Sequence, residues 1–301
     1  MIKAVLIYNP MAGALRQDLQ QIENLVAALA HYGINAVPTP TAYPGHATEL
    51  ARQAVSEKAK LVIVCGGDGT INEVAQALVG SETAMAVWSC GTANVLAEEL
   101  RLPKTHNGLA RLIAENSVRT ISVGRAVKPE TGWQRYFLLM AGIGLDAAIV
   151  QSVNLNLKKI VGQGAYWMAG LDFLARMPLK LFSINVNKRQ LKSTFTIVSN
   201  ASHYASMFSL TPDARIDDDK LKVCIFNSQS RLAYLSYAVL SFVGAHTGSP
   251  GVVYQETKRV HANSNDEALV QLDGELVGRL PMDFEIVPNA LRVFAPLASK
   301  Q

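Results

Sequence analysis

The chain has 301 residues, 49% hydrophobic and 17% charged, which allows one large or two ordinary domains and excludes a disordered chain. A net charge of +4 fits an anionic ligand or an anionic membrane surface and gives little support to a nucleic-acid partner, so none is expected. Cys65, Cys90 and Cys224 lie far apart without zinc spacing, as buried thiols of a reducing, cytoplasmic compartment would.

Residues 3–8 predict a first strand, closed by Asn9-Pro10-Met11-Ala12-Gly13, where Pro and Gly force a turn. Leu19, Ile22, Leu25, Val26 and Leu29 then recur at helical spacing, with Gly33 placed to end the helix. A second strand is expected over 34–37, a loop over 39–46 and a second helix over 46–57. The apolar, β-branched run 61–65 reads as a buried strand of a parallel sheet. Gly66, Gly67 and Gly69 follow it, then Thr70 as a cap for a helix over 71–79, with Glu73 completing a capping box. Strand, glycine turn and helix start in that order make an anion site suited to phosphate. Asp68 in its middle would repel a phosphate unless a cation such as Mg²⁺ lay between them. An ordinary tight turn with Asp68 in an Asx-turn is the plain alternative. A fourth strand over 85–88 leads to Gly91-Thr92-Ala93-Asn94 and a helix from 93 towards 100, which repeats the same phosphate-suited logic. Repeated strand–loop–helix units make an open, mostly parallel sheet whose ligand sits at the strands' carboxyl ends.

The pattern changes near residue 120. Short alternating segments at 119–126, 136–141, 182–186, 194–199, 220–226, 252–261, 269–272, 284–286 and 291–294 predict antiparallel strands. Two helical stretches interrupt them, over 146–175 with a break at Gly162-Gln163-Gly164, and over about 232–245. Both are apolar at helical spacing, as core helices are; the alternative is a membrane-contact face flanked by Lys158, Lys159, Arg176 and Lys180. The uncharged stretch 232–255 is broken by Ser, Gly and Pro, so no transmembrane span is predicted. Domains are expected over 1–122 and 123–288, with residues 289–301 returning to the first.

Two later stretches carry carboxylates. Asp273-Gly274-Glu275 follows a strand; it is a surface hairpin turn or, facing a cleft, a source of a base for an attacking hydroxyl. Asp217-Asp218-Asp219 is a solvated turn or a hard-cation site.

Asn-Pro-x-x-Gly at 9–13, Gly-Gly-Asp-Gly-Thr-x-Asn-Glu-Val at 66–74, Gly-Thr-Ala-Asn-Val-Leu-Ala at 91–97, Gly-x-Gly-x-Asp-Ala at 142–147, the Pro-x-Ala-x-x-Asp-Asp stretch at 212–218 and Asp-Gly-Glu at 273–275 are similar to the diacylglycerol kinase catalytic-domain family, soluble lipid kinases that include sphingosine kinases. The resemblance covers nearly the whole chain. It implies a Rossmann-like α/β domain followed by a β-rich, sandwich-like domain, with ATP in the cleft between them. The implied reaction carries the γ-phosphoryl group of ATP to a lipid hydroxyl, with Mg²⁺, at a membrane surface that the protein contacts peripherally. Carried over by motif, Asn9, Pro10, Gly13, Thr41, Gly66, Gly67, Asp68, Gly69, Thr70, Asn72, Glu73, Gly91, Thr92 and Asn94 would serve the nucleotide. Asp68 would partner the catalytic Mg²⁺, and Glu275 would be the base with Asp273 as its neighbour. Asp218, with backbone oxygens of Arg215 and Lys220, resembles a second, structural metal site.

Three positions depart from the family's pattern. Val95 and Ser122 stand where many relatives carry acids, and Asp219 stands where a glycine is usual, in a turn that would place it in the left-handed region. Two other readings therefore stay beside the lipid kinase. One is an NAD kinase-like phosphotransferase, which shares the Gly-Gly-Asp-Gly-Thr loop. The other is a non-catalytic ATP- or lipid-binding member of the family. Exposed edge strands in the second domain would also allow a homodimer.

Overall fold

The computed structural model describes residues 2–145, 147, 179–202, 210–241, 244–265 and 268–297. The chain forms two compact units, Met1–Val123 with Val287–Gln301, and Gly124–Ile286.

The first unit is α/β. Strands β1 (Ile2–Tyr8), β2 (Ile34–Pro40), β3 (Leu61–Gly66) and β4 (Ala84–Ser89) pair in parallel in the order β2-β1-β3-β4. Every residue of β3 is buried, which is why its sequence is a continuous apolar run rather than an alternating one. The helices are α1 (Gly13–Gln17), α2 (Gln20–His31), α3 (His46–Ser56), α4 (Asp68–Leu78), α5 (Val95–Glu99) and α6 (His106–Ala114). Ile22, Leu25 and Leu29 of α2 and Leu109, Leu112 and Ile113 of α6 pack on Leu6, Ile63 and Ala86 of one sheet face. Helices α3 and α4 pack on each other and on β1 and β3.

The second unit is an antiparallel sandwich. The chain enters it within β5 (Val118–Val127), which pairs with β6 (Gln134–Phe137). Strands β7 (Met140–Gly144), β8 (Phe182–Val186), β9 (Arg189–Ser193), β10 (Phe195–Ser199) and β11 (Leu221–Phe226) follow, then helix α7 (Arg231–Ser241). Strands β12 (Val252–Thr257), β13 (Arg259–Asn263), β14 (Leu269–Leu272), β15 (Glu275–Arg279) and β16 (Met282–Phe294) complete the chain. One sheet has the order β12-β11-β10-β7-β14-β15, and β13 and β8 pair beside the start of β16 in the other. Ile143, Val223 and Val270 of the first meet Ile184, Val260 and Phe284 of the second in one core. Tyr234 and Tyr237 of α7 pack with Ile197, Cys224 and Phe226 in a separate cluster.

Several expected boundaries are corrected. Helix α4 starts at Asp68, with Gly67 as its N-cap, so Thr70 lies in the first turn and caps nothing. Helix α5 starts at Val95, because Asn94 takes a left-handed conformation. The expected strand 136–141 is two strands, and so is 252–261, where β12 and β13 join different sheets. The strands expected at 284–286 and 291–294 are one, β16, with Asn289 at φ 50° inside it. The second apolar helix is described over Arg231–Ser241, and Ala245–Gly248 form a short 3-10 turn. Asp219 is not among the positive-φ residues, so that turn does not use the left-handed region. Helices α1 and α6 and strands β9 and β15 were not expected from the sequence. Of the expected helix over 146–175 only Ala147 is among the described residues; Asp146, Lys158, Lys159 and Arg176 lie outside them. Among the described residues no helix is long and apolar enough to cross a membrane. The three cysteines are free and buried.

Candidate active site

In the first unit the parallel strands deliver their following loops to one edge, and backbone hydrogen bonds tie those loops together. The Asn9 N–H donates to the Cys65 carbonyl at 2.9 Å, the Cys90 N–H to Gly66 at 2.8 Å, and the Ala14 N–H to Cys90 at 3.1 Å. Asn9 Nδ2 donates to Thr70 Oγ1 at 3.2 Å, while Asn9 Oδ1 accepts the Met11 N–H at 2.9 Å and so turns the chain through Pro10. Thr41 joins through its N–H, 2.8 Å from the Tyr8 carbonyl.

The glycines are where backbones meet. A Cβ on Gly13 would lie 2.6 Å from the Cys90 carbonyl oxygen, and one on Gly91 would lie 2.7 Å from Gly67 Cα. A Cβ on Gly66 would lie 2.7 Å from Thr70 Cβ. Asn94, at φ 52°, closes the Gly91 loop: its Oδ1 accepts the Gly91 N–H at 2.9 Å and its Nδ2 donates to the Gly91 carbonyl at 3.1 Å. Thr92 is exposed at the loop's tip. Gly69 and Thr70 lie in the first turn of α4, whose leading N–H groups have no partner within the helix. Asn72 is buried and accepts from Gln76 at 3.0 Å.

Asp68 and Glu73 are both directed to neighbouring helices. The Asp68 carboxylate faces the start of α5, 3.4 Å from the Leu96 N–H. Burial pushes its carboxyl up from the usual value, against the N–H groups of Leu96, Val95 and Asn94, which pull it down. The start of α5 thus faces Asp68. The Glu73 carboxylate accepts the Gly45 N–H at 2.9 Å and the Ala47 N–H at 3.2 Å. Glu73 therefore caps α3 rather than forming a capping box on its own helix, and it supports the segment just after Thr41.

In the second unit the Asp273-Gly274-Glu275 turn links β14 to β15. Asp273, at φ 47°, accepts three backbone N–H groups, from Leu138 at 2.7 Å, Leu139 at 2.9 Å and Met140 at 3.0 Å. These bonds shape the bend between β6 and β7. Glu275 opens β15 and stays 43% exposed, its Oε2 2.5 Å from Nη2 of Arg135 on β6. Arg135 escaped the sequence reading; it lies 140 positions from Glu275, and no local pattern marks it.

The residues proposed for a structural metal sit differently. The Arg215 carbonyl accepts the Asp218 N–H at 2.9 Å. Asp219 pairs with Lys258 at 3.1 Å, and the Lys220 ammonium pairs with Glu256 at 3.3 Å. Lys222, with its side chain 8% exposed, projects beside them and pairs with Asp213 at 3.0 Å and with Glu256. Among the described residues no three His, Cys, Asp or Glu side chains are grouped to hold a metal. A buried ammonium beside this turn does not suit a divalent cation, so the residues present do not fit that second metal.

A parallel α/β unit with glycine loops gathered at its carboxyl edge, followed by an antiparallel sandwich, defines a two-domain architecture. The sequence profile of the diacylglycerol kinase catalytic domain matches residues 3–126, and that of the YegS C-terminal NAD kinase beta sandwich-like domain matches residues 140–295. The chain belongs to the diacylglycerol kinase catalytic domain family and carries the YegS-type C-terminal domain. It is 28% identical over 299 residues to a diacylglycerol kinase of Staphylococcus aureus (strain bovine RF122 / ET3-1), covering 98% of this chain and 92% of the relative. The same enzyme of strain JH9 is 28% identical over 301 residues. A crystal structure of a diacylglycerol kinase from Bacillus anthracis str. Sterne has the same fold, with a TM-score of 0.78 at 23% identity and 98% of each chain covered.

Proposed function

We propose that the protein is an ATP-dependent lipid kinase that transfers the γ-phosphoryl group to the hydroxyl of diacylglycerol or a related lipid. Glu275 carries the reading. With Asp273 committed to three backbone N–H groups, Glu275 is the carboxylate of the turn left half-exposed, paired only with Arg135 among the contacts above. As the acceptor oxygen bonds to the γ-phosphorus and the bond to the ADP oxygen breaks, the hydroxyl proton passes to a Glu275 oxygen. The loops around Asn9, Thr41, Gly66–Thr70 and Gly91–Asn94 bind the triphosphate through backbone N–H groups. Asp68 offers the hard carboxylate oxygen that Mg²⁺ takes, at the start of α4 among these loops, so it fits the ion. When bound, Mg²⁺ would neutralise phosphate charge. A lipid acceptor brings the protein to a membrane surface as a peripheral, cytoplasmic enzyme.

The test is transfer of labelled γ-phosphate from Mg-ATP into the organic phase, with mixed micelles of diacylglycerol, monoacylglycerol, sphingosine or total lipid, and NAD as the aqueous control. Label in a lipid, lost with Glu275→Gln, supports the kinase and names its acceptor. Label in NAD would make it an NAD kinase-like enzyme. Ser122 favours the non-catalytic reading: it is buried, with its Oγ 3.4 Å from the Asn289 N–H, and supplies no carboxylate. Intact ATP binding with label in neither phase would establish that reading.

A further inference from the structure

The turn at residues 211–219 is held to the sandwich by lysines. Lys222 is on β11, directly opposite Glu256 on β12. Its ammonium reaches Asp213 Oδ2 at 3.0 Å and Glu256 Oε1, with the side chain 8% exposed. The other Asp213 oxygen accepts the Tyr254 hydroxyl, also from β12. Both oxygens of one turn carboxylate are therefore bonded to strand side chains. At the far end of the turn, Asp219 pairs with Lys258 at 3.1 Å. Lys220 adds a second ammonium on Glu256 at 3.3 Å.

Three ammonium groups thus meet Asp213, Asp219 and Glu256. A divalent ion held in this turn would share it with these ammonium groups, and like charges repel. Conversely, Lys222 without its partners would be a buried, unpaired charge.

We propose that the Lys222 ammonium replaces a structural divalent cation in this turn, so that the turn is clamped to β11 and β12 by side chains and needs no metal. The proposal is independent of the phosphoryl-transfer reading, because the turn can be lysine-clamped in a kinase or in a binding protein alike.

The test uses the full chain carrying Asp68→Asn, without nucleotide, so that an ion at Asp68 does not contribute. Thermal melts in EDTA and in millimolar MgCl2 should coincide, and Mn²⁺ counted by equilibrium dialysis should show no bound ion. Adding Lys222→Gln should lower the melting temperature in EDTA by several degrees, and Mg²⁺ should restore part of the loss through the carboxylates left unpaired. Further addition of Asp218→Asn should remove that rescue. One Mn²⁺ per chain in the Asp68→Asn protein, lost with Asp218→Asn, would overturn the proposal. So would a Lys222→Gln protein that melts in EDTA like its parent. Should the Lys222→Gln protein not fold, the Mn²⁺ count on the Asp68→Asn protein still decides between lysine and metal.

Discussion

Asp273 and Met140 hold each other twice: the Met140 N–H donates to Asp273 Oδ1 at 3.0 Å, and the Asp273 N–H donates back to the Met140 carbonyl at 2.9 Å. The same oxygen accepts the Leu139 N–H, and Oδ2 accepts that of Leu138. Asparagine can keep one oxygen in place but turns its amide towards the other N–H. Asp273→Asn should therefore cost about 1–3 kcal/mol, the price of a buried donor left unpaired. Urea unfolding should show this as a lower midpoint, and any loss of transfer should accompany it.

Glu275 lies two residues on and should behave oppositely. Its pair with Arg135 joins partly exposed groups, and such pairs contribute roughly 0–1 kcal/mol. Glu275→Gln should melt close to the parent while phosphoryl transfer falls by about 10²–10⁴-fold, the usual size of a general-base contribution. Transfer retained at the parental rate in a folded Glu275→Gln protein would refute the assigned role.

The contrast between these carboxylates shows where sequence reasoning stops. The glycine loops were legible because each is written locally, as an apolar strand, small residues and a helix start. The parallel first half and the antiparallel second half were legible from the change of period near residue 120. The partners of Asp273 and Glu73 were not, since they lie 133–135 and 26–28 positions away, and Lys222 joins Asp213, 9 positions back, to Glu256, 34 positions on, across a turn and a second strand. The break between β12 and β13 has no glycine or proline; Thr257 makes it by accepting the Arg259 N–H on its hydroxyl at 3.3 Å. Conversely, Pro288 and Asn289 look like a strand end, yet β16 runs through them with one left-handed residue. Helix α6 was hidden by its polar, glycine-containing start, although Thr105 caps it by accepting the Gly108 N–H.

For Asp68 the sign of the pH dependence is fixed. Burial raises its folded value above the unfolded one, so the stability it contributes is full below the unfolded value and is lost as pH rises through the folded value. Asp68→Asn removes that dependence. Its melting temperature relative to the parent should rise with pH through the acid range, and at neutral pH should equal or exceed the parent's without nucleotide. Mg-ATP should raise the melting temperature of the parent and not of the variant. The parent's own Mg²⁺ response should fade as the pH falls towards the raised value, because the ion competes with the proton. Melts over a pH series, with and without Mg-ATP, check all of this.

Gly91 and Gly67 separate steric need from phosphate binding. A Cβ on Gly91 would stand 2.7 Å from Gly67 Cα, a backbone atom that cannot swing away, whereas one on Gly67 would stand 3.4 Å from Gly91 Cα. Gly91→Ala should cost about 1–3 kcal/mol, as overpacking does, and Gly67→Ala much less. Chemical denaturation of the two variants without nucleotide checks the order; equal losses would mean that the loops separate easily.

Glu73 tests whether the first unit's edge depends on helix-to-helix support. Its carboxylate accepts the Gly45 and Ala47 N–H groups at the start of α3, and its carbonyl accepts the Thr48 hydroxyl at 2.8 Å. Gly45 is the N-cap of α3 and has no side chain to cap with, so the capping acceptor comes from α4. Glu73→Ala should cost about 0.5–2 kcal/mol, the range of a lost N-cap. Glu73→Gln, which keeps one acceptor oxygen, should lose less. Because Thr41 lies just before this helix start, loosening it should weaken nucleotide binding more than it slows turnover at saturation. ATP titration of the alanine variant should then show a raised Kd with little change in saturated rate. A fall in rate at saturation with ATP affinity unchanged would instead place the Glu73 carboxylate in the chemistry itself.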